Sequence, residues 1–289
     1  MSFTETVLLG ALSGFTIYLG LPFARLRLLG PRAKVALAMF AVGVLAFLFV
    51  DVMEHGFEIV EEAVTGLKDG GESFGHVLWL ALLLGGGFAL GSAGLSILEA
   101  WMRRGSGTQP PMSGASAEIT VDDAAALEQQ ARARALRTGM TIAAAIGLHN
   151  FAEGLAIGVS ANTGEISLAT VLIVGFALHN ATEGFGIVAP LAAEAEQDED
   201  ARPSWGLLLL LATIGGGPTF VGTAVGHSFT SEPVSVVFLT LAAGSILYVI
   251  IQLLAVAGRS ARRDLIYVGV LAGLLAGFLT DAIVTAAGV

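Results

Sequence analysis

The chain has 289 residues, of which 55% are hydrophobic and only 13% are charged, and its mean hydropathy is +0.79. A soluble domain usually carries about 25% charged residues, so this composition excludes an ordinary soluble protein and predicts a membrane protein. At a net charge of −10 we expect no nucleic-acid partner, and the absence of cysteine excludes disulfides and thiolate metal ligands.

Eight apolar runs come close to the roughly 20 residues that a helix needs to cross hydrocarbon. They cover residues 5–23, 35–53, 76–101, 139–160, 166–192, 206–226, 233–256 and 265–288. The first run has no basic region before it and no small-residue cleavage site, so we interpret it as a retained span and not as a signal peptide. The sequence therefore predicts an all-α integral membrane protein with eight transmembrane helices in one bundle.

Basic residues predict the orientation of this bundle, because they favour cytoplasmic loops. With eight spans, 13 of the 14 lysines and arginines fall on one side, and only Lys68 falls on the other. We therefore expect both termini outside, that is, an N-out and C-out topology. The expected location is a plasma membrane, most simply the inner or cell membrane of a prokaryote.

One long connection divides the chain. Residues 1–104 hold spans one to three, 105–133 are predicted to be a flexible cytoplasmic loop, and 134–289 hold spans four to eight, all within one membrane domain. The part 105–121 is rich in Gly, Ser and Thr and contains Pro110-Pro111. The Ala- and Arg-rich part 122–137 predicts a short helical lead-in to span four.

Acidic residues cluster after span two, on the expected outer side. They are Glu54, Glu58, Glu61, Glu62, Asp69 and Glu72. An acidic surface at this place would concentrate cations, although an ordinary solvated loop would look the same in the sequence.

Two of the predicted spans carry the same polar motif. Span four contains His149-Asn150-Phe151-Ala152-Glu153-Gly154, and span five contains His179-Asn180-Ala181-Thr182-Glu183-Gly184. A charged side chain at the centre of a bilayer costs roughly 2.5–3.5 kcal/mol on the insertion scale, so such residues are retained for a reason. Because a short turn at 162–165 joins the two spans, we expect antiparallel neighbours with both motifs at one depth.

The spacing within each motif suits a metal ion. Residues four apart share one face of a helix, so His149 with Glu153 and His179 with Glu183 can offer two imidazoles and two carboxylates to one cation between helices four and five. Nitrogen and oxygen donors of this kind suit Zn²⁺, and also Fe²⁺, Mn²⁺, Co²⁺ or Cd²⁺.

The remaining motif residues have two interpretations each. Asn150 and Asn180 lie about 100° further around each helix, where their carbonyl oxygens can help to hold a second cation bridged by the same glutamates. Interhelical hydrogen bonds are the alternative for the polar residues, but such bonds do not require two carboxylates beside two imidazoles. Gly154 and Gly184 either allow close helix packing or are ordinary glycines among the 38 of this chain.

The duplicated His-Asn-x-x-Glu-Gly motif in consecutive central spans resembles the ZIP (Zrt/Irt-like) metal transporters. The resemblance extends to the eight spans, the long loop after span three and the stretch from Leu239 to Val249. It implies a transporter that moves divalent metal toward the cytoplasm. It also implies a main site at His149, Glu153, His179 and Glu183, with Asn150 and Asn180 at a second, adjacent site.

Two features depart from the family pattern. Many relatives have Pro before each motif Glu, whereas this chain has Ala152 and Thr182, so we expect straighter helices. Many two-metal members also place a Glu in span six, where this chain has Thr213-Ile214-Gly215-Gly216-Gly217-Pro218. We therefore predict one strong site with a weak or missing second one, and a break or kink of span six at this run.

Five further polar residues are candidates for an access path to the site. Asp51, Glu54 and His55 follow one another at helical spacing near the end of span two, and Gln252 and Asp281 lie in spans seven and eight. The alternative for the first three is an ordinary interfacial cluster, and the alternatives for Asp281 are a proton-accepting group or a packing contact.

The leading functional hypothesis is a permease whose divalent metal ion is the transported substrate. Its partners are then the lipid bilayer and the metal, and a homodimer is left open. The rival hypothesis is an intramembrane metalloenzyme with a His- and Glu-bound catalytic metal. Neither a His-Glu-x-x-His motif nor a separate general base or nucleophile supports it, so we do not expect an enzyme.

Overall fold

Helices make up every regular element in the part of the chain that the structure describes. This computed structural model describes residues 1–25, 30–105, 121–164, 166–197, 202–228, 231–258 and 263–286. Its α-helices are α1 (Phe3–Phe15), α2 (Pro31–Lys68), α3 (Phe74–Ala89), α4 (Leu95–Gly105), α5 (Val121–Thr163), α6 (Ile166–Gln197), α7 (Trp205–Ser228), α8 (Glu232–Ala257) and α9 (Arg263–Ala286). The prediction of an all-α protein is confirmed for these residues.

Short irregular turns extend two of these helices into longer membrane segments. Two 3₁₀ turns, Thr16–Leu19 and Leu21–Ala24, continue α1, and one π-helical turn, Leu90–Gly94, joins α3 to α4. At the N-terminus, Ser2 and Glu5 form a capping box that satisfies the first free N–H groups of α1. These extensions bring the first and third segments to 22 and 28 residues, long enough to cross a bilayer.

Within the described residues, seven segments are long and apolar enough to span a membrane. They are Phe3–Ala24, Pro31–Lys68, Phe74–Trp101, Ala126–Asn162, Trp205–Ser228, Glu232–Ala257 and Arg263–Ile283. The eighth predicted span is α6, whose 32 residues exceed the required length. Its described part carries the second polar motif, which lowers its mean hydropathy.

Helix α2 differs from the sequence prediction, because it continues well beyond residue 53. It has 38 residues, or about 57 Å at 1.5 Å per residue, against about 30 Å for the hydrocarbon core. The acidic residues from Glu54 to Glu62 therefore lie on a helix and not in a loop. The extension is held by packing, since Ile59, Val60 and Ala63 contact Leu80 and Val236 of the neighbouring helices.

The connection before α5 is also more ordered than a loop over part of its length. Residues 121–133 belong to α5, so the predicted helical lead-in at 122–137 is continuous with span four. Residues 106–120, the first half of the predicted flexible loop, lie outside the described residues.

Among the described residues, the main apolar core is formed by the two 3₁₀ turns after α1 together with α2, α5, α6, α7 and α8, and a smaller cluster lies around Ala63, Leu80 and Val236. Helix α5 contacts α6, α7 and α8, while α2 contacts α3, α6, α8 and α9. The segment Ala126–Asn162 is the most enclosed, with 67% of its most apolar window buried, against 17% for Phe74–Trp101 and for Arg263–Ile283. The first motif therefore lies on the central helix.

Candidate metal centre

The two motif helices are joined by one tight turn. Helix α5 ends at Thr163 and α6 begins at Ile166. Gly164 adopts a φ of +87°, a left-handed conformation that residues with a Cβ rarely adopt. So short a connection forces the two helices to run antiparallel as neighbours, as predicted, and it brings the two motifs face to face.

Three side chains of the motifs form a compact group of metal-ligand atoms. One ligand atom from each of His149, His179 and Glu183 lies within 4.8 Å of the other two. His149 and Glu183 are fully buried, and the His179 side chain is 11% exposed. Three of the four predicted ligands are thus brought together.

The fourth predicted ligand, Glu153, lies between the two imidazoles. Its Oε1 atom is 2.6 Å from His179 Nε2, in a hydrogen bond, and 2.9 Å from His149 Nε2. One carboxylate oxygen therefore contacts both histidines, while Oε1 of Glu183 lies 3.7 Å from His149 Nε2. All four side chains meet at one point between α5 and α6.

Several buried polar atoms at this point are unsatisfied. Among the described residues, no donor meets either oxygen of Glu183, or Oε2 of Glu153, with hydrogen-bond geometry. An unpaired carboxylate is costly to bury, and a cation would supply the missing partner. Two imidazoles and two carboxylates also match the donor types of Zn²⁺ and of other first-row metal ions. The residues present therefore fit a divalent metal ion.

Asn150 and Asn180 each connect a motif helix to a further helix. Asn150 Nδ2 donates to the carbonyl oxygen of Gly215 in α7 at 3.0 Å, and Asn180 Nδ2 donates to that of Ser13 in α1 at 3.3 Å. In the described part of the chain, the Oδ1 atoms of both asparagines have no hydrogen-bond partner although they are buried. These two oxygens are the atoms that the predicted second site requires.

The two motif glycines are positions of close helix approach. A Cβ at Gly154 would overlap the backbone oxygen of Thr219 in α7, and a Cβ at Gly184 would overlap backbone atoms of Ile17 and Gly20 beside α1. Of their two interpretations, close packing therefore applies. Together with the asparagines, they hold α1 and α7 against the back of the site.

The motif helices are continuous, in line with the missing prolines. Both α5 and α6 run without interruption through Ala152 and Thr182. The predicted break of span six is wrong, since α7 is one helix from Trp205 to Ser228 with Pro218 inside it. Pro218 lacks the N–H that would bond the Ile214 carbonyl, but packing against α5 and α1 keeps the helix intact.

The predicted access residues divide between two places. Asp51 lies close enough to His55, Asp281, His179 and Glu153 to interact electrostatically with each of them. His55 Nδ1 donates to the Asp51 carbonyl oxygen at 2.8 Å, an i to i−4 contact within α2. Among the candidate access residues, Asp51 is therefore one whose electrostatic interactions extend to two of the predicted ligands.

Glu54 and Gln252 lie away from the four ligands. Glu54 is exposed on the next turn of α2 after Asp51. Gln252 lies near the end of α8, where its Nε2 donates to Oε2 of Glu99 at 2.6 Å. The sequence analysis did not single out Glu99, although a carboxylate inside an apolar span is a signal that could have found it.

A large cavity opens at the end of the bundle where α2 and α5 begin and where α6 and α8 end. Its volume is about 1490 Å³, and its walls include Lys34, Arg134, Glu99, Gln252 and Phe185. We call it the vestibule. Phe185, two residues beyond Glu183 in α6, lines the vestibule, whereas the four predicted ligands do not.

No protein-family model matches the chain, and no curated protein matches it. The resemblance to ZIP transporters therefore stays a prediction, based on the paired motif and the pattern of spans.

Proposed function

We propose that this protein is a membrane transporter that moves divalent metal cations, first of all Zn²⁺, toward the cytoplasm. The observation that carries the proposal is the buried group of His149, His179 and Glu183, with Glu153 in contact with both imidazoles. Unpaired carboxylate oxygens beside two histidines, deep among apolar helices, are well explained by a cation that binds there.

The surroundings of the group favour transport over static binding. Asp51 interacts electrostatically with two of the ligands from α2. The vestibule, whose wall includes Phe185 two residues beyond Glu183, opens at the end of the bundle that carries Lys34 and Arg134. Basic residues favour the cytoplasm, so the vestibule is the proposed inner exit, with both termini outside. The membrane is proposed to be a plasma membrane, and Fe²⁺, Mn²⁺, Co²⁺ and Cd²⁺ are further candidate substrates.

The proposed membership of the ZIP family is consistent with this geometry but has one difference. The second site has the two asparagine oxygens, whereas α7 contributes Gly215 and Thr219 near it instead of a carboxylate. Neutral oxygens bind a divalent cation more weakly than carboxylates do, so we propose one strong site and a weak second one.

Uptake into proteoliposomes tests the proposal. Purified protein is reconstituted, Zn²⁺ is added outside, and the metal inside is followed with a trapped fluorescent indicator. Wild-type protein should raise the rate well above that of empty liposomes, and His149→Ala and Glu183→Ala should abolish the increase. Glu128→Gln, which removes an exposed carboxylate of α5, is the matched control and should transport normally.

The same assay separates the rival class. Wild-type protein that binds Zn²⁺ tightly but moves none across the membrane would contradict the transporter and leave the metalloenzyme as the better hypothesis.

A further inference from the structure

A second polar cluster lies within the apolar helices, outside the metal centre. Oε2 of Glu99 in α4 accepts hydrogen bonds from the Tyr248 hydroxyl at 2.7 Å and from Gln252 Nε2 at 2.6 Å, both in α8. Gln252 Nε2 also lies 2.9 Å from the Tyr248 hydroxyl. We call these three residues the Glu99 cluster.

Glu99 lies at the edge of the apolar part of the chain. It is two residues before the end of the segment Phe74–Trp101, on the wall of the vestibule. A packing contact between α4 and α8 could be made by neutral residues, so the carboxylate is the feature of this cluster that needs an explanation.

Among the described side chains, the hydrogen bonds to Glu99 occupy only one oxygen of its carboxylate. Both donors bind the same oxygen, Oε2, and neither uses Oε1. Glu99 and Gln252 line the vestibule, whereas Tyr248 is 5% exposed. The two donors thus hold the carboxylate in one orientation at the wall of an open space.

The vestibule borders the helix that carries Glu183. Phe185 and Val188, two and five residues beyond Glu183, line the same space as Glu99. A volume of about 1490 Å³ holds on the order of 50 waters at about 30 Å³ each. A cation released from Glu183 toward this end of α6 would enter that space, and the Glu99 cluster lies on its wall.

We propose that Glu99 is a cation-binding residue of the exit path, with Tyr248 and Gln252 as its positioning residues. This inference rests on the proposed transport function. The carboxylate binds the hydrated cation through oxygen, more weakly than two imidazoles and two carboxylates bind it. It takes the ion from the metal centre and releases it into the vestibule, and so speeds transport without adding to the affinity of the main site.

Three variants separate charge from hydrogen bonding. Glu99→Gln keeps the length of the side chain and an acceptor for Tyr248 but removes the charge, and Zn²⁺ uptake should fall at least about tenfold. Glu99→Asp keeps the charge and should retain more uptake than Glu99→Gln. A purely structural cluster predicts the opposite order, because Asp is too short to keep both hydrogen bonds. Glu194→Gln, which removes another carboxylate of the vestibule wall, is the matched control and should leave uptake unchanged.

Measuring Zn²⁺ binding at equilibrium distinguishes a loss of transport from a loss of folding. All variants should bind Zn²⁺ at the main site within about twofold of wild type, which also shows that they are folded. In a Glu153→Gln/Glu183→Gln background, electron paramagnetic resonance should detect weak Mn²⁺ binding that Glu99→Gln removes and Glu194→Gln does not. Persistence of that binding, or wild-type uptake by Glu99→Gln, would overturn the inference. Absence of uptake by wild-type protein would instead contradict the transport function.

Discussion

Glu183→Gln should stabilise the metal-free protein while it removes metal binding. Both oxygens of Glu183 are buried without a hydrogen-bond donor in the described part of the chain. A buried polar group left unpaired costs about 1–3 kcal/mol, and a charged one costs more. The Gln side chain has the same shape without the charge, so the free energy of unfolding without metal should rise by at least about 1 kcal/mol.

Metal should have the opposite effect on the two proteins. A ligand at 100 times its dissociation constant stabilises a protein by about 2.7 kcal/mol. If the substitution weakens binding about 100-fold, the stabilisation at the same Zn²⁺ concentration falls to about 0.4 kcal/mol. The variant is thus expected to be the more stable protein in EDTA and the less stable one in Zn²⁺.

The assay is SDS-induced unfolding of purified protein in mixed micelles, followed by tryptophan fluorescence with either EDTA or Zn²⁺ present. Glu61→Gln, at an exposed position of α2, should change neither curve. The reasoning is refuted if Glu183→Gln lowers the stability in EDTA, or if it keeps the full stabilisation by Zn²⁺.

Three further predictions concern the supports of the site. Gly154→Val should abolish folding or metal binding, because its side chain would overlap the Thr219 backbone. The same change at Gly85 should be tolerated, because no atom lies within 4 Å of a Cβ added there. Size-exclusion chromatography and Zn²⁺ titration compare the two variants. Asn150→Ala should cost about 1–3 kcal/mol in SDS unfolding, because the buried Gly215 carbonyl loses its donor; an unchanged midpoint would contradict that contact. Asn150→Asp should tighten Mn²⁺ binding, because a carboxylate replaces the neutral oxygen of the weak second site. A calorimetric titration that detects no tighter binding would count against a second site there.

The paired motif could be predicted from the sequence because its geometry is local. Residues four apart share a helix face, and a connection of two residues requires α5 and α6 to pack as antiparallel neighbours. The similar depth of His149, His179 and Glu183 follows from these two facts. That their side chains face one another, and that Glu153 contacts both imidazoles, does not follow, since it depends on rotamers and on the rotation of each helix.

The end of α2 could not be predicted from hydropathy. An apolar run shows which residues suit lipid, and a helix continues beyond it wherever propensity and packing allow. Ile59, Val60 and Ala63 were the available signal, because they follow helical spacing on one face.

Long-range contacts account for the other differences. Gln252 forms a hydrogen bond with Glu99, 153 residues away in the sequence, and no local sequence pattern predicts such a pair. The run before Pro218 suggests a break when it is read alone. It stays helical because Gly147 and Asn150 of α5 pack against Ile214 and Gly215.

The unexpected length of α2 has a consequence for how fast cations arrive. Asp51, Glu54, Glu58, Glu61 and Glu62 recur every three or four residues, with one adjacent pair, so a single face of the helix carries all five. At 1.5 Å per residue this stripe is about 16 Å long, or about two Debye lengths at physiological ionic strength. A rigid column of charge of that size guides a diffusing cation along its length, and its inner end is the residue that interacts with the metal centre. Capture should therefore slow as ionic strength rises, even where the affinity of the buried ligands stays the same.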